Sequence, residues 1–173
     1  MNKMNPMRKI RVEKLTLNIG VGKNPQLLDK AMTLLKKLAD AKPVKTYTQK
    51  RIAGWGLRPG LPIGCKVTLR GGNASELLTR LLQSKEEELT EKQFDNFGNI
   101  AFGIPEYINI PGIDYDPDIG IIGLEVCVTL ERPGFRIKKR KNEKRKVPRK
   151  HGILKEDAIG FMKNEFKIKV GEI

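Results

Sequence analysis

Asp114, Asp116 and Asp118, with Glu125 eleven positions after the first, have the spacing of the oxygen ligands in a calcium-binding loop. The turn-making glycine is displaced, however. Ile119 holds the sixth position, Gly120 follows it, and Pro117 interrupts the run, so a structural turn is the expectation. The same aspartates could gather Mg²⁺ for phosphodiester cleavage, which makes a Mg-dependent RNA-processing enzyme the alternative function. Against it, residues 84–118 hold nine carboxylates and two lysines, a balance that repels a phosphate backbone. Gly22-Lys23 would belong to a phosphate-binding loop only with glycine at position 17 and Ser or Thr at 24. Leu17 and Asn24 stand there instead. Gly54-Trp55-Gly56 has Pro59 where a dinucleotide fingerprint needs a third glycine. His151 is the sole histidine, and Cys65 and Cys127 are the only cysteines, so neither a zinc site nor a disulfide framework can be assembled. No catalytic residue, resident metal or cofactor is expected.

The chemistry that remains is cationic. Among 173 residues, 34 Lys and Arg outnumber 20 Asp and Glu, for a net charge of +14. The excess is gathered, not spread. Residues 1–40 sum to +6, and residues 41–74 carry seven basic side chains and no acid at all. Residues 136–150 pack Arg136, Lys138, Lys139, Arg140, Lys141, Lys144, Arg145, Lys146, Arg149 and Lys150 around a single Glu143. Ordinary surfaces mix both signs, and a run such as Lys138 to Lys141 repels itself and stays extended unless a polyanion neutralises it. Nucleic acid is therefore the favoured partner, with a general chromosomal DNA-binding protein as a further reading. No stretch is apolar for long enough to span a bilayer, and Met1 to Arg11 lacks the apolar block of a secretion signal. The cell interior, specifically the cytoplasm, is the expected location.

The elements that must position these charges follow from periodicity. Leu15, Leu17, Ile19 and Val21 alternate with Lys14, Thr16, Asn18 and Gly20, the period of a half-buried strand. Asn24 can cap and Pro25 open a helix with a stripe of Leu27, Leu28, Ala31, Leu34, Leu35 and Leu38. Residues 44–52 predict a second strand, and Ile63, Cys65, Val67 and Leu69 a third, alternating with Lys66, Thr68 and Arg70. Between them residues 51–62 hold three glycines and two prolines and should project as a loop. Trp55 in that loop, between Arg51 and Arg58, either lies flat on a base or tucks back onto the sheet. Asn73 and Glu76 have capping-box spacing ahead of Leu77, Leu78, Leu81 and Leu82, in a helix that should run on to the acidic Glu86 to Glu88. Strands are expected over 99–104 and 121–130, and a short helix over 155–165. This order predicts an α+β fold: a largely antiparallel β-sheet with helices packed on one face and projecting basic loops, in a single domain over 1–173. The residues out of phase with the core, namely Lys14, Thr16, Asn18, Lys66, Thr68 and Arg70, would then share the uncovered face.

Residues 54–71, Gly-Trp-Gly-Leu-Arg-Pro-Gly-Leu-Pro-Ile-Gly-Cys-Lys-Val-Thr-Leu-Arg-Gly, closely resemble the signature of the L-five family of large-subunit ribosomal proteins. Leu17 to Gly22, Lys42 to Val44, Phe102 to Glu106, Tyr115 to Gly123 and Arg132 to Gly134 are similar to its other segments, in the same order. The segment His151 to Met162 resembles the archaeal and eukaryotic branch, with archaeal favoured. The resemblance implies a non-catalytic protein that binds 5S rRNA, helps dock it in the central protuberance and sends a loop to the tRNA in the peptidyl site. By the same analogy the 5S rRNA surface includes Asn18, Lys42, Lys66, Thr68 and Arg70, to which the strand-face reading adds Lys14 and Thr16. The P-site tRNA loop includes Arg51, Gly54, Trp55, Arg58 and Pro59, with Trp55 where the family more often has Phe. The ten cations of 136–150 would meet neighbouring 23S-type rRNA. Other partners implied are ribosomal proteins of the central protuberance and a small-subunit protein across the subunit interface.

Overall fold

Leu15, Leu17 and Ile19 are buried along one side of β1 (Arg11–Gly20), the central strand of a five-stranded antiparallel sheet in the computed structural model, which describes residues 5–171. The other strands of that sheet are β2 (Val44–Tyr47), β3 (Pro62–Leu69), β5 (Ile100–Ile104) and β6 (Leu124–Glu131), in the order β2-β3-β1-β6-β5. Burial alternates along β1, β5, β6 and most of β3, whereas the edge strand β2 buries none of its four residues. Cys65 and Val67 of β3, Ile100, Phe102 and Ile104 of β5, and Leu124, Val126, Val128 and Leu130 of β6 face the same core as the leucines of β1.

Helix α1 (Pro25–Ala39) covers that core over β3, and α2 (Gly72–Gln83) covers it over β1. Asn24 caps α1 as its type suggests, its Oδ1 accepting from the amides of Gln26 at 3.1 Å and Leu27 at 3.3 Å. Leu28, Ala31, Leu34, Leu35 and Leu38 are buried, and each leucine stabilises the fold by about 2 kcal/mol through burial. The α+β class and the helix-covered sheet face agree with expectation.

Several boundaries differ from expectation for identifiable reasons. Helix α2 starts at Gly72, not Asn73, and no side chain caps it. Gly71, at φ 72°, lets the chain leave β3 and enter the helix across only two residues, Arg70 and Gly71, before Asn73 can act as a cap. The helix stops at Gln83, because Glu86 and Glu87 take left-handed φ angles of 56° and 60° that lead into β4 (Glu88–Thr90). Strand β2 spans only four residues, and the last long strand starts at Leu124, not at 121, although Ile122 is buried as expected. A pairing that periodicity did not suggest closes the chain: β7 (Lys169–Gly171) lies parallel to β4, with Leu89 opposite Val170. It follows α3 (Lys155–Phe166), which buries Ala158 and Met162.

Arg132, at the end of β6, ties α3 to the sheet. It is 7% exposed and donates to the Gly152 carbonyl at 2.8 Å and to Asp157 Oδ2 at 2.9 Å. The acidic stretch is clamped on the helix side. Arg80 of α2 donates twice to the Pro111 carbonyl, at 3.0 and 2.8 Å, Lys37 of α1 pairs with Asp116, and the buried Tyr107 hydroxyl accepts from the Asp116 amide at 3.0 Å.

A basic sheet face between two basic appendages

The face of the sheet turned away from α1 and α2 is exposed at Lys66, Thr68, Glu125, Cys127 and Ala101 and half-buried at Lys14, Thr16 and Asn18. Strand register arranges it in rows. Lys66, Asn18, Glu125 and Gly103 form one row across β3, β1, β6 and β5. Thr68, Thr16, Cys127 and Ala101 form the next, and Lys14 opposite Thr129 begins a third. Arg70, just past β3 and in phase with Lys66 and Thr68, is exposed. Six of the seven expected surface residues are therefore brought together. Lys42 is the exception: it lies at the β2 edge beside Lys36 and Lys45, off the rows.

The polar groups of this face are partly oriented already. Thr16 and Thr68 hydroxyls stand 3.5 Å apart, and Asn18 Nδ2 donates to Glu125 Oε2 at 3.1 Å. Among the described residues, Lys14, Lys66 and Arg70 have no carboxylate within 4.0 Å, whereas Lys45 pairs with Asp29 at 3.8 Å. Unpaired cations on an uncovered sheet keep their full charge for an external anion. Val44 and Tyr47, 60% and 58% exposed, belong to the same face and escaped the sequence reading. A bulge between Thr46 and Tyr47 sets Tyr47 opposite Pro62, a shift that simple alternation cannot anticipate.

The two projecting segments leave opposite ends of β1, whose ten residues span about 33 Å at ~3.3 Å each. At the carboxyl end, residues 51–62 form an ordered loop. Ile52 and Leu57 bridge each other, Leu57 is buried, and Thr48 exchanges backbone hydrogen bonds with Leu61 at 2.9 Å and Gly60 at 2.8 Å. Trp55 does not tuck back onto the sheet. It is 68% exposed at the end of a short 3-10 turn, with exposed Arg51 and Arg58 on either side. Gly54 and Pro59 are exposed as well. Lys23, from the motif that failed as a phosphate loop, lays its side chain against Gly56, where any Cβ would collide with it. Its role in this loop was invisible locally, because Lys23 and Gly56 meet only through the pairing of β1 with β3.

At the amino end of β1 lies the basic segment 136–150, and here expectation needs correction. The segment is not an extended tail. Phe135–Lys138 forms a 3-10 turn, and Lys138 sits 4.8 Å above the Phe135 ring. Lys139 pairs with Glu13 and, at 3.5 Å, with Glu131, so its charge is met within the chain. Arg140 donates to the Glu143 carbonyl at 3.0 and 2.9 Å. His151 closes the base of the segment through a 2.8 Å contact with the Pro133 carbonyl and an edge-on contact with Phe135 at 5.7 Å. Arg136, Lys138, Lys141, Lys144, Arg145, Lys146, Arg149 and Lys150 have no carboxylate within 4.0 Å among the described residues, so eight of the ten cations stay available.

The aspartate trio does not converge on a metal site. Asp116 pairs with Lys37, and its Oδ1 accepts from the Asp118 amide at 3.0 Å; these two bonds hold its carboxyl below the usual carboxylate range. The Asp116 carboxylate in turn raises the Lys37 ammonium above its ordinary value. Among the described residues no group of three His, Cys, Asp or Glu could hold a metal ion, and no helix is long and apolar enough to cross a membrane. Burial raises the Cys65 thiol to about 11, and burial together with nearby Glu125 raises Cys127, which leaves no activated nucleophile among the cysteines.

An α+β domain with an exposed cationic sheet face and a clamped acidic loop on the helix side has the charge layout of a protein that meets a polyanion. Family comparison makes this specific. Residues 5–58 match the model of ribosomal protein L5, and residues 62–161 match the model of the C-terminus of the same ribosomal family. The chain is 46% identical over 170 residues to large ribosomal subunit protein uL5 of Sulfurisphaera tokodaii, covering 98% of this chain and 96% of the relative. It is 50% identical to that of Nanoarchaeum equitans over 166 residues, 95% and 98% of the two chains. For Methanobrevibacter smithii the identity is 44% over 165 residues, 95% and 97%. The chain belongs to the ribosomal protein L5 family and is similar to its archaeal members; it is a ribosomal protein and not an enzyme.

Proposed function

We propose that this protein works in the cytoplasm as a structural constituent of the large ribosomal subunit, where it binds 5S rRNA across the open face of its sheet and helps dock it in the central protuberance. The observation that supports this most is the alignment of Lys14, Lys66 and Arg70 with Thr16, Thr68 and Asn18 on one face, with no carboxylate within 4.0 Å of these cations among the described residues. Cations of this kind bind phosphate by releasing counterions. The hydroxyl and amide rows suit ribose and base edges, which is how folded RNA is gripped by shape and backbone. The loop 51–62 reaches P-site tRNA, with Trp55 stacking and Arg51 and Arg58 holding phosphates. The segment 136–150, at the other end of β1, holds 23S-type rRNA. Neighbouring ribosomal proteins of the central protuberance, and a small-subunit protein across the subunit interface, complete the contacts.

Filter-binding titration with 5S rRNA at several salt concentrations tests this reading. Eight or so phosphate contacts give a slope of log affinity against log salt of about −7. A slope near zero, or equal affinity for duplex DNA in competition, would reject it.

A further inference from the structure

The open face is basic except at Glu125. The other acids near it are answered: Glu131 is paired with Arg11 at 2.7 Å and with Lys139 at 3.5 Å, and Glu13 with Lys139. Among the described residues Glu125 has no basic partner within 4.0 Å. Among the described residues its one side-chain hydrogen bond comes from the Asn18 amide at 3.1 Å to Oε2, which orients the carboxylate and leaves Oε1 without a donor. Glu125 borders an open cleft of about 590 Å³ at the carboxyl end of β1, together with Asn18, Lys85, Gly20, Gly103 and Gly123. At Gly20 and Gly103 a side chain would meet nothing within 4 Å, so the wall there is bare, flat backbone. Lys66 stands in the same row, two strands away, roughly 10 Å at the usual interstrand spacing.

A carboxylate on a phosphate-binding face weakens binding unless it meets hydrogen-bond donors, because an ionised carboxylate only accepts. Two adjacent donors match its two oxygens best. Among the four RNA bases guanine alone offers such a pair, N1–H and the N2 amino group, on its Watson–Crick edge. Adenine and cytosine set a ring-nitrogen acceptor beside their amino group, and uracil flanks its single N–H with two carbonyls. Bases that are splayed out of helices in folded RNA are read on this edge.

We propose that Glu125, held by Asn18, recognises an unpaired guanine of the bound RNA. The base lies in the cleft over the Gly20 and Gly103 backbone, while Lys66 takes a phosphate in the same row. This rests on the RNA-binding reading above.

Charge alone and base recognition predict opposite signs for Glu125→Gln. Removing a negative charge from a basic face tightens RNA binding if Glu125 is only a surface acid. If it accepts two hydrogens from guanine, the variant binds 5S rRNA about tenfold more weakly, with the salt slope unchanged because every phosphate keeps its cation. Glu125 is exposed, so an unchanged melting curve should accompany either result. Inosine interference mapping supplies the second readout, since inosine lacks the N2 amino group. The wild type should show interference at one guanosine or a small cluster of them, and Glu125→Gln should abolish it. Equal or tighter binding by Glu125→Gln, or interference that does not depend on Glu125, overturns the proposal. A wild-type protein that fails to bind 5S rRNA with a steep salt slope refutes the underlying reading instead, and the guanine assignment falls with it.

Discussion

Replacing Lys14, Lys66 and Arg70 together by glutamine removes the three unpaired cations of the open face without touching the core. Each is exposed or half-exposed and has no carboxylate within 4.0 Å among the described residues, so the change in folding stability should stay within about 0.5 kcal/mol. RNA binding should respond very differently. A cation that neutralises a phosphate contributes about −0.9 to the slope of log affinity against log salt on a duplex and about −0.7 on a single strand. Taking away three such cations should flatten the slope by about 2 to 3 and weaken binding at about 0.1 M salt by roughly 100- to 500-fold, about 3–4 kcal/mol. The assay is filter binding or fluorescence anisotropy with 5S rRNA across a ~10-fold span of salt, from about 0.05 to about 0.5 M, on protein whose melting curve matches the wild type. An unchanged slope would refute the reasoning even if affinity fell, because the cations would then not be neutralising phosphates. Parallel loss of the melting transition would point to the fold.

Trp55 is the only tryptophan and is 68% exposed, so its fluorescence should be quenched by tRNA and not by saturating 5S rRNA. Trp55→Ala should weaken the tRNA contact by about 1–3 kcal/mol, while Trp55→Phe keeps most of it. Cys127 lies mid-face between Thr16 and Ala101, with its thiol pKa raised, whereas Cys65 is buried with a pKa of about 11. Alkylation should therefore label Cys127 first and quicken about tenfold per pH unit while the thiolate is the minor form; bound 5S rRNA should block it, and equal labelling in the complex would remove Cys127 from the covered face. Arg132→Met should lower stability by about 2–4 kcal/mol in urea unfolding, because Asp157 and the Gly152 carbonyl lose their donor where α3 joins the sheet. Gly64→Ala places a Cβ 2.6 Å from the Ile19 carbonyl oxygen and should cost about 1–3 kcal/mol in the same measurement.

Much of the fold and part of the site were legible because they depend on neighbours in sequence. The alternation from Lys14 to Gly20 and from Lys66 to Arg70 names both the buried and the exposed partners, since side chains in a strand change face at every residue. The leucine stripe of α1 and its Asn24 cap are equally local. The failures are where one residue's state depends on a distant one. Asn73 looked like a cap, but the geometry of Gly71 had already begun the helix. Lys139 looked like a free cation, yet Glu13, more than a hundred residues earlier, lies beside it once β1 and β6 have paired. The pairing of β4 with β7 joins segments about eighty residues apart, each only three residues long, too short to leave a periodic signature.

The amino-acid order alone determined that this protein is strongly cationic in two blocks and acidic in one. It also set which faces of its strands and helices are apolar and the family signature over residues 54–71, because composition and periodicity are written along the chain. Only tertiary structure decided which of the cations remain unpaired, that Trp55 stands clear of the sheet, and that Asn18 is locked to Glu125 beside a bare glycine cleft. Those outcomes depend on strand register. Register is fixed by burying the whole apolar face at once, so no local segment contains it.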